Sequence, residues 1–81
     1  MDVRPLANQI MKALKEGGKE PKHSEFNVPY EEFGEAVEYL EEEGYISGSS
    51  VIRSGQGHRV HIVWLNRAKI TEKGYKLLDV F

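Results

Sequence analysis

Residues 40–52 read Leu40-Glu41-Glu42-Glu43-Gly44-Tyr45-Ile46-Ser47-Gly48-Ser49-Ser50-Val51-Ile52, and within them the hydrophobic period changes. Upstream, Phe33, Val37 and Leu40 recur at i, i+4 and i+7 with Ala36 beside them, the spacing of one helix face, which predicts a helix over residues 30–43. Pro29 stands at its start. Glu31 and Glu32 fall in the first turn, where the helix dipole favours anions, and Gly44 is the expected stop. Downstream, Tyr45-Ile46 and Val51-Ile52-Arg53 are short β-like runs, and residues 47–50 between them have turn chemistry. Residues 59–66 then alternate, with Val60, Ile62 and Trp64 on one face and Arg59, His61 and Val63 on the other. Ser54-Gly55-Gln56-Gly57-His58 joins the two runs as a hairpin tip. Trp64 is expected to pin the hairpin onto the helices, a burial that stabilises by roughly a few kcal/mol.

Working outward, Leu6, Ile10, Ala13 and Leu14 lie on one face of a helix over residues 6–16. Pro5 sits where a first-turn proline costs nothing, because those N–H groups are unpaired in any case. Gly17-Gly18 ends the helix, the first glycine suiting a left-handed cap. Residues 19–28 form a polar connector in which Ser24-Glu25-Phe26 could make one helical turn capped by Ser24 and anchored by Phe26. Thr71 is a good N-cap for a last helix, whose apolar stripe is Leu77 and Leu78. Gly74 in its first turns costs about 1 kcal/mol against alanine, which implies that another backbone approaches there.

The order is therefore helix, short turn, helix, β-hairpin, helix. A two-stranded hairpin is not stable alone, so it must lie on the helices, with the first and last helices on the other side of the middle one. That predicts an α+β fold of one domain over residues 1–81: a winged helix, in which a helix-turn-helix is followed by a hairpin wing and a C-terminal helix.

Two stretches also carry a likeness. Leu40-Glu41-Glu42-Glu43-Gly44-Tyr45-Ile46 looks like the end of a winged-helix recognition helix and its entry to the wing. Ala68-Lys69-Ile70-Thr71-Glu72-Lys73-Gly74-Tyr75-Lys76-Leu77-Leu78 looks like the apolar-Thr-x-x-Gly-x-x-x-Leu opening of the final helix in many such proteins. With Phe33, Ala36 and Val37, the pattern resembles the YjcQ family, small bacterial and prophage-encoded proteins, over residues 24–80. The resemblance implies a winged-helix fold. It implies no particular activity and carries over no functional residue.

The chain has 81 residues, 40% of them hydrophobic and 30% charged. A chain of this size has one thin core and no room for a deep substrate cleft as well. Cysteine is absent, so no disulfide or thiolate metal site can add stability, which fits a reducing cytoplasm. The start, Met1-Asp2-Val3-Arg4-Pro5, has no apolar signal region. The longest apolar run, Ile62-Val63-Trp64-Leu65, is far short of a membrane span, so a cytoplasmic protein with no membrane partner is expected.

Catalytic and metal chemistry find no constellation. His58 and His61 flank a strand at i, i+3 and so point to opposite faces. His61 shares its face with Arg59, which disfavours a bound cation. A zinc site needs about four ligands, and they cannot be assembled here. Gly55-Gln56-Gly57 lies in a hairpin tip and lacks the third glycine of a dinucleotide loop. No enzyme activity, no cofactor and no metal are expected.

The net charge of −2 hides a segregation. Residues 1–24 carry five basic and three acidic groups, residues 25–44 eight glutamates and no basic group, and residues 45–81 six basic and two acidic groups. A helix-turn-helix normally offers its second helix to the major groove, but here that helix carries Glu31, Glu32, Glu35, Glu38, Glu41, Glu42 and Glu43 without a cation. Duplex DNA carries one negative charge per about 1.7 Å, so groove reading by this helix is rejected on like-charge repulsion. Another mode survives: Arg53, His58, Arg59 and His61 on the wing, with Lys69, Lys73 and Lys76 at i, i+4 and i+7, could contact a DNA backbone.

The acidic helix is the sharper feature. Glu41, Glu42 and Glu43 lie at its C-terminal end, where the dipole disfavours anions. Glu31–Glu35, Glu35–Glu38 and Glu38–Glu42 are like-charge neighbours. A local rule broken repeatedly points to function, although glutamate is also a good helix former. The preferred expectation is a regulatory protein-interaction module presenting Glu31, Glu35, Glu38 and Glu42 to a basic partner. The alternative is a regulator that contacts duplex DNA through its wing and last helix. A homodimer through the C-terminal helix, ending in Phe81, is a further expectation.

Overall fold

The computed structural model describes residues 2–17, 21–22, 26–55, 57 and 59–80, without the side chains of residues 61, 79 and 80. The fold is α+β. Three helices, α1 (Arg4–Glu16), α2 (Tyr30–Glu42) and α3 (Glu72–Val80), accompany four short strands, β1 (Ile46–Ser47), β2 (Ser50–Arg53), β3 (Val60–Trp64) and β4 (Lys69–Ile70). The strands form two antiparallel two-stranded sheets, β1 with β4 and β2 with β3. The order and pairing are compatible with a winged-helix-like arrangement, the β2–β3 hairpin standing where the wing is expected. Ser24 and Glu25 of the turn read at Ser24-Glu25-Phe26, and the C-terminal Phe81, lie outside the described residues. Among the described residues no helix is long and apolar enough to cross a membrane.

The core forms where the helical stripes meet. Phe33, Ala36, Val37 and Leu40 of α2 are buried, as their spacing predicts. From α1 come Ile10 and also Ala7 and Met11, all three fully buried, while Leu6 and Leu14 pack at the margin. The α1 stripe is thus wider than the four residues read from the sequence, because a helix facing a core buries a broad apolar band rather than a single row. Phe26 and Tyr30 stack on Phe33 at centroid distances of 5.9 and 6.2 Å. The β layer adds Ile46, Val63 and Leu65. Helix α3 packs against α1 and β4 and buries Leu78.

The hairpin departs from simple alternation. Ser50 pairs with Trp64, Val51 with Val63 and Ile52 with Ile62, but Arg53 pairs with Val60. Residue 61 is therefore an extra residue in β3, a β-bulge, and one extra residue reverses which face the following side chains occupy. Val60 faces α2, where its γ-carbons crowd Gly34. Beyond the bulge Val63 and Leu65 turn inward, and Trp64 turns outward and is 48% exposed. The expectation that Trp64 pins the hairpin to the helices is thus corrected: Val60 and Val63 do so.

The second sheet is tied to α3 through backbone. Thr71 caps α3 as predicted, its Oγ1 accepting from the Gly74 N–H at 3.1 Å and donating to the Gly44 carbonyl at 2.5 Å. The Thr71 N–H donates to the Tyr45 carbonyl at 3.0 Å. Gly74 lies against the same carbonyl: a β-carbon there would sit 2.2 Å from the Tyr45 oxygen. The approach of another backbone inferred from Gly74 is real, and the backbone is that of the residue just after the α2 stop, Gly44, whose φ is +77°.

Candidate functional site

The acidic residues of α2 fall on two flanks. Glu31 and Glu38, seven positions apart and hence on nearly the same flank, face the hairpin. Arg53 projects from β2 between them. Its Nε donates to Glu38 Oε2 at 3.0 Å, its Nη2 donates to Glu38 Oε1, and its Nη1 donates to Glu31 Oε2 at 3.1 Å. The paired bonds to Glu38 engage one edge of the guanidinium, Nε and Nη2, in a bidentate contact, the stronger form of an arginine–carboxylate pair. Hydrogen bonding to Glu38, reinforced by Glu31, raises the Arg53 pKa still further above its ordinary value, against a smaller opposing effect of desolvation. The three side chains are 29–40% exposed, so solvent screens the pair only in part.

Two more bonds extend this junction. Glu31 Oε1 accepts from the Val60 N–H at 2.9 Å, and Tyr30 Oη accepts from the Val63 N–H at 2.8 Å. Helix α2 thereby satisfies two backbone donors of β3, groups that an uncovered strand would leave to water. Gly34, between these side chains on the helix, lets Val60 reach the α2 backbone. The sequence reading missed Tyr30, Gly34 and the Val60 donor. Tyr30 and Gly34 bracket Glu31 on one helix flank, a signal that acquires meaning only when a strand lies across them.

The other flank is open. Glu35 and Glu42 are exposed and have no ion pair among the described residues. Glu35 borders a shallow groove shared with Glu31, Arg53, Gly57 and Arg59. Glu41 accepts from the Ser49 hydroxyl at 2.5 Å. At the C-terminal end of α2, the Glu43 carbonyl accepts from Lys73 Nζ at 2.7 Å, so a cation from α3 offsets part of the clash between the terminal glutamates and the helix dipole. The Lys73 ammonium also lies over the Tyr45 ring, 5.0 Å from its centroid.

Among the described residues, the cations proposed for DNA have different neighbours. Arg53 faces α2, Lys73 reaches the α2 terminus, and Lys76 lies 3.7 Å from Glu72 in an exposed i, i+4 pair. Arg59 is exposed at the hairpin tip, and Lys69 is exposed on β4 opposite Ser47. His58 and the side chain of His61 lie outside the described residues. The two sets read from sequence, acidic helix and basic wing, meet each other at Arg53.

No curated protein and no solved structure matches the chain. A family model described as YjcQ protein matches residues 7–79, nearly its whole length. The chain belongs to the YjcQ family.

Proposed function

We propose that this protein is a non-enzymatic, cytoplasmic regulatory module that docks a basic protein surface on the open flank of α2, centred on Glu35 and Glu42. The observation that carries the reading is the placement of Arg53. By bridging Glu31 and Glu38 it removes a cation from the wing and offsets one of the two negative charges on that flank of the acidic helix. The exposed glutamates that remain keep their charge available to a partner. Unpaired acidic side chains of this kind raise the rate and selectivity of encounter with a basic surface more than they raise final affinity.

The alternative is a wing-led contact to duplex DNA, for which Arg59 and Lys69 are the exposed cations. Fluorescence anisotropy separates the two. A labelled lysine- and arginine-rich peptide and a labelled generic duplex are titrated with the protein at about 50 and 200 mM salt, a range over which phosphate contacts show a steep slope. The proposal expects peptide binding that is lost in the Glu35→Lys/Glu42→Lys variant. Duplex binding that collapses with salt, disappears in Arg59→Ala/Lys69→Ala and ignores the glutamate changes would overturn it.

A further inference from the structure

The bulge that turns Trp64 outward also creates a surface on the far side of the hairpin from α2. Ile52 lies directly opposite Ile62, and Ser50 directly opposite Trp64, so these four side chains share the outer face. Ile52 is 44% exposed and Trp64 is 48% exposed. A cluster of two isoleucines and a tryptophan on the outside of a small domain is unlike the scattered single apolar residues normal for a surface. Tryptophan is moreover a residue that repeatedly anchors interfaces.

The hairpin and the segment that follows it carry cations and no carboxylate of their own. Residues 45–71 contain Arg53, Arg59, Arg67 and Lys69 and no Asp or Glu. Arg53 is directed to α2. Arg59, near the hairpin tip, and Arg67 and Lys69, beyond its base, are exposed. A second copy offering the same face would bring cations against cations. A nucleic acid would find phosphate partners but a poor stacking surface, since single-strand binding uses several aromatic planes and this face has one aromatic beside two aliphatic chains.

We propose that the outer face of the β2–β3 hairpin, centred on Ile52, Ile62 and Trp64, docks an acidic segment of a partner protein that carries apolar anchors. This surface is separate from the open flank of α2, and the inference does not depend on that reading.

Trp64 is the single tryptophan of the chain, so its emission reports on the face directly. The experiment selects a random peptide display library on the full chain, then titrates the best synthetic peptide while following Trp64 emission. The expected result is enrichment of sequences combining Asp or Glu with Leu, Ile or Phe, and a shift of the emission to shorter wavelength on binding. Affinity should fall by about tenfold or more in Ile52→Ser, as for loss of a central anchor, and fall likewise in Ser50→Glu, which changes an exposed strand position and adds like charge. Glu35→Lys/Glu42→Lys should leave it unaltered. Enrichment of basic peptides, or of none that depend on Ile52 and Ser50, overturns the proposal. So does an oligothymidylate that quenches Trp64 more tightly than any selected peptide. A blue shift that appears with protein concentration alone, accompanied by dimers in sedimentation, assigns the face to a second copy and also overturns it.

Discussion

Helix α2 joins the β layer at two places, and the joints are built from different materials. At its C-terminal end the contact runs chiefly through backbone: Gly74 of α3 lies on the Tyr45 carbonyl, Thr71 bonds Gly44 and Tyr45, and Lys73 donates to the Glu43 carbonyl. Along the flank that faces the hairpin the contact is made by long polar side chains, Tyr30, Glu31 and Glu38, reaching Val63, Val60 and Arg53. The first joint has no slack, because main-chain atoms cannot rotate aside. The second is partly exposed, so water can replace much of what it loses. A fixed frame of α1, α3, β1 and β4 thus holds a hairpin attached by a more adjustable clasp.

The largest test of this contrast is Gly74→Ala. Helix propensity alone predicts a gain of about 1 kcal/mol, but the added carbon would meet the Tyr45 oxygen at 2.2 Å. A net loss of about 3 kcal/mol is expected, at the upper end of overpacking costs, measured by urea denaturation. A neutral result would break the claim that the joint is rigid.

Gly34→Ala probes the other joint at its tightest point. Its added carbon would meet Val60 Cγ2 at 2.6 Å, a side-chain atom rather than backbone. The expected loss is about 1–2 kcal/mol, and Val60→Ala in the same chain should restore part of it, giving a coupling energy in a double-mutant cycle.

Arg53→Met should cost about 1 kcal/mol, since the ion pair is partly exposed. The cost should shrink in about 1 M salt, where the screening length is about 3 Å. A loss that ignores salt would show that Arg53 works by packing. Its thermal melt should retain a single transition.

The smallest effect lies at the N-terminus. Arg4 donates to both carboxylate oxygens of Asp2 and lowers its pKa to about 2. A lowered folded-state value means that the contribution is present above the ordinary carboxylate range and is lost as pH falls through about 2. Melting temperatures of the native chain and of Asp2→Asn should therefore converge between about pH 4 and pH 2, a shift small enough to vanish in high salt because the pair is fully solvated.

Much of this was legible in the chain. The three helices, the Gly44 stop, the Thr71 cap and the close approach at Gly74 follow from local rules, because periodicity, capping and glycine requirements act over a few neighbouring residues. The segregation of charge was equally plain. The face of Trp64 was not, because it depends on one bulged residue whose presence is decided by pairing with β2. Nor was the pairing of β1 with β4, two-residue strands with too little pattern to announce themselves.

What the sequence by itself determined is the set of elements, their order and the existence of an acidic helix. Only the tertiary structure decided how that helix is spent. Arg53 stands fifteen residues from Glu38 and twenty-two from Glu31. No local rule links residues so far apart; the packed hairpin brings them together, and a charge is reduced as a docking group once an opposite charge is held beside it.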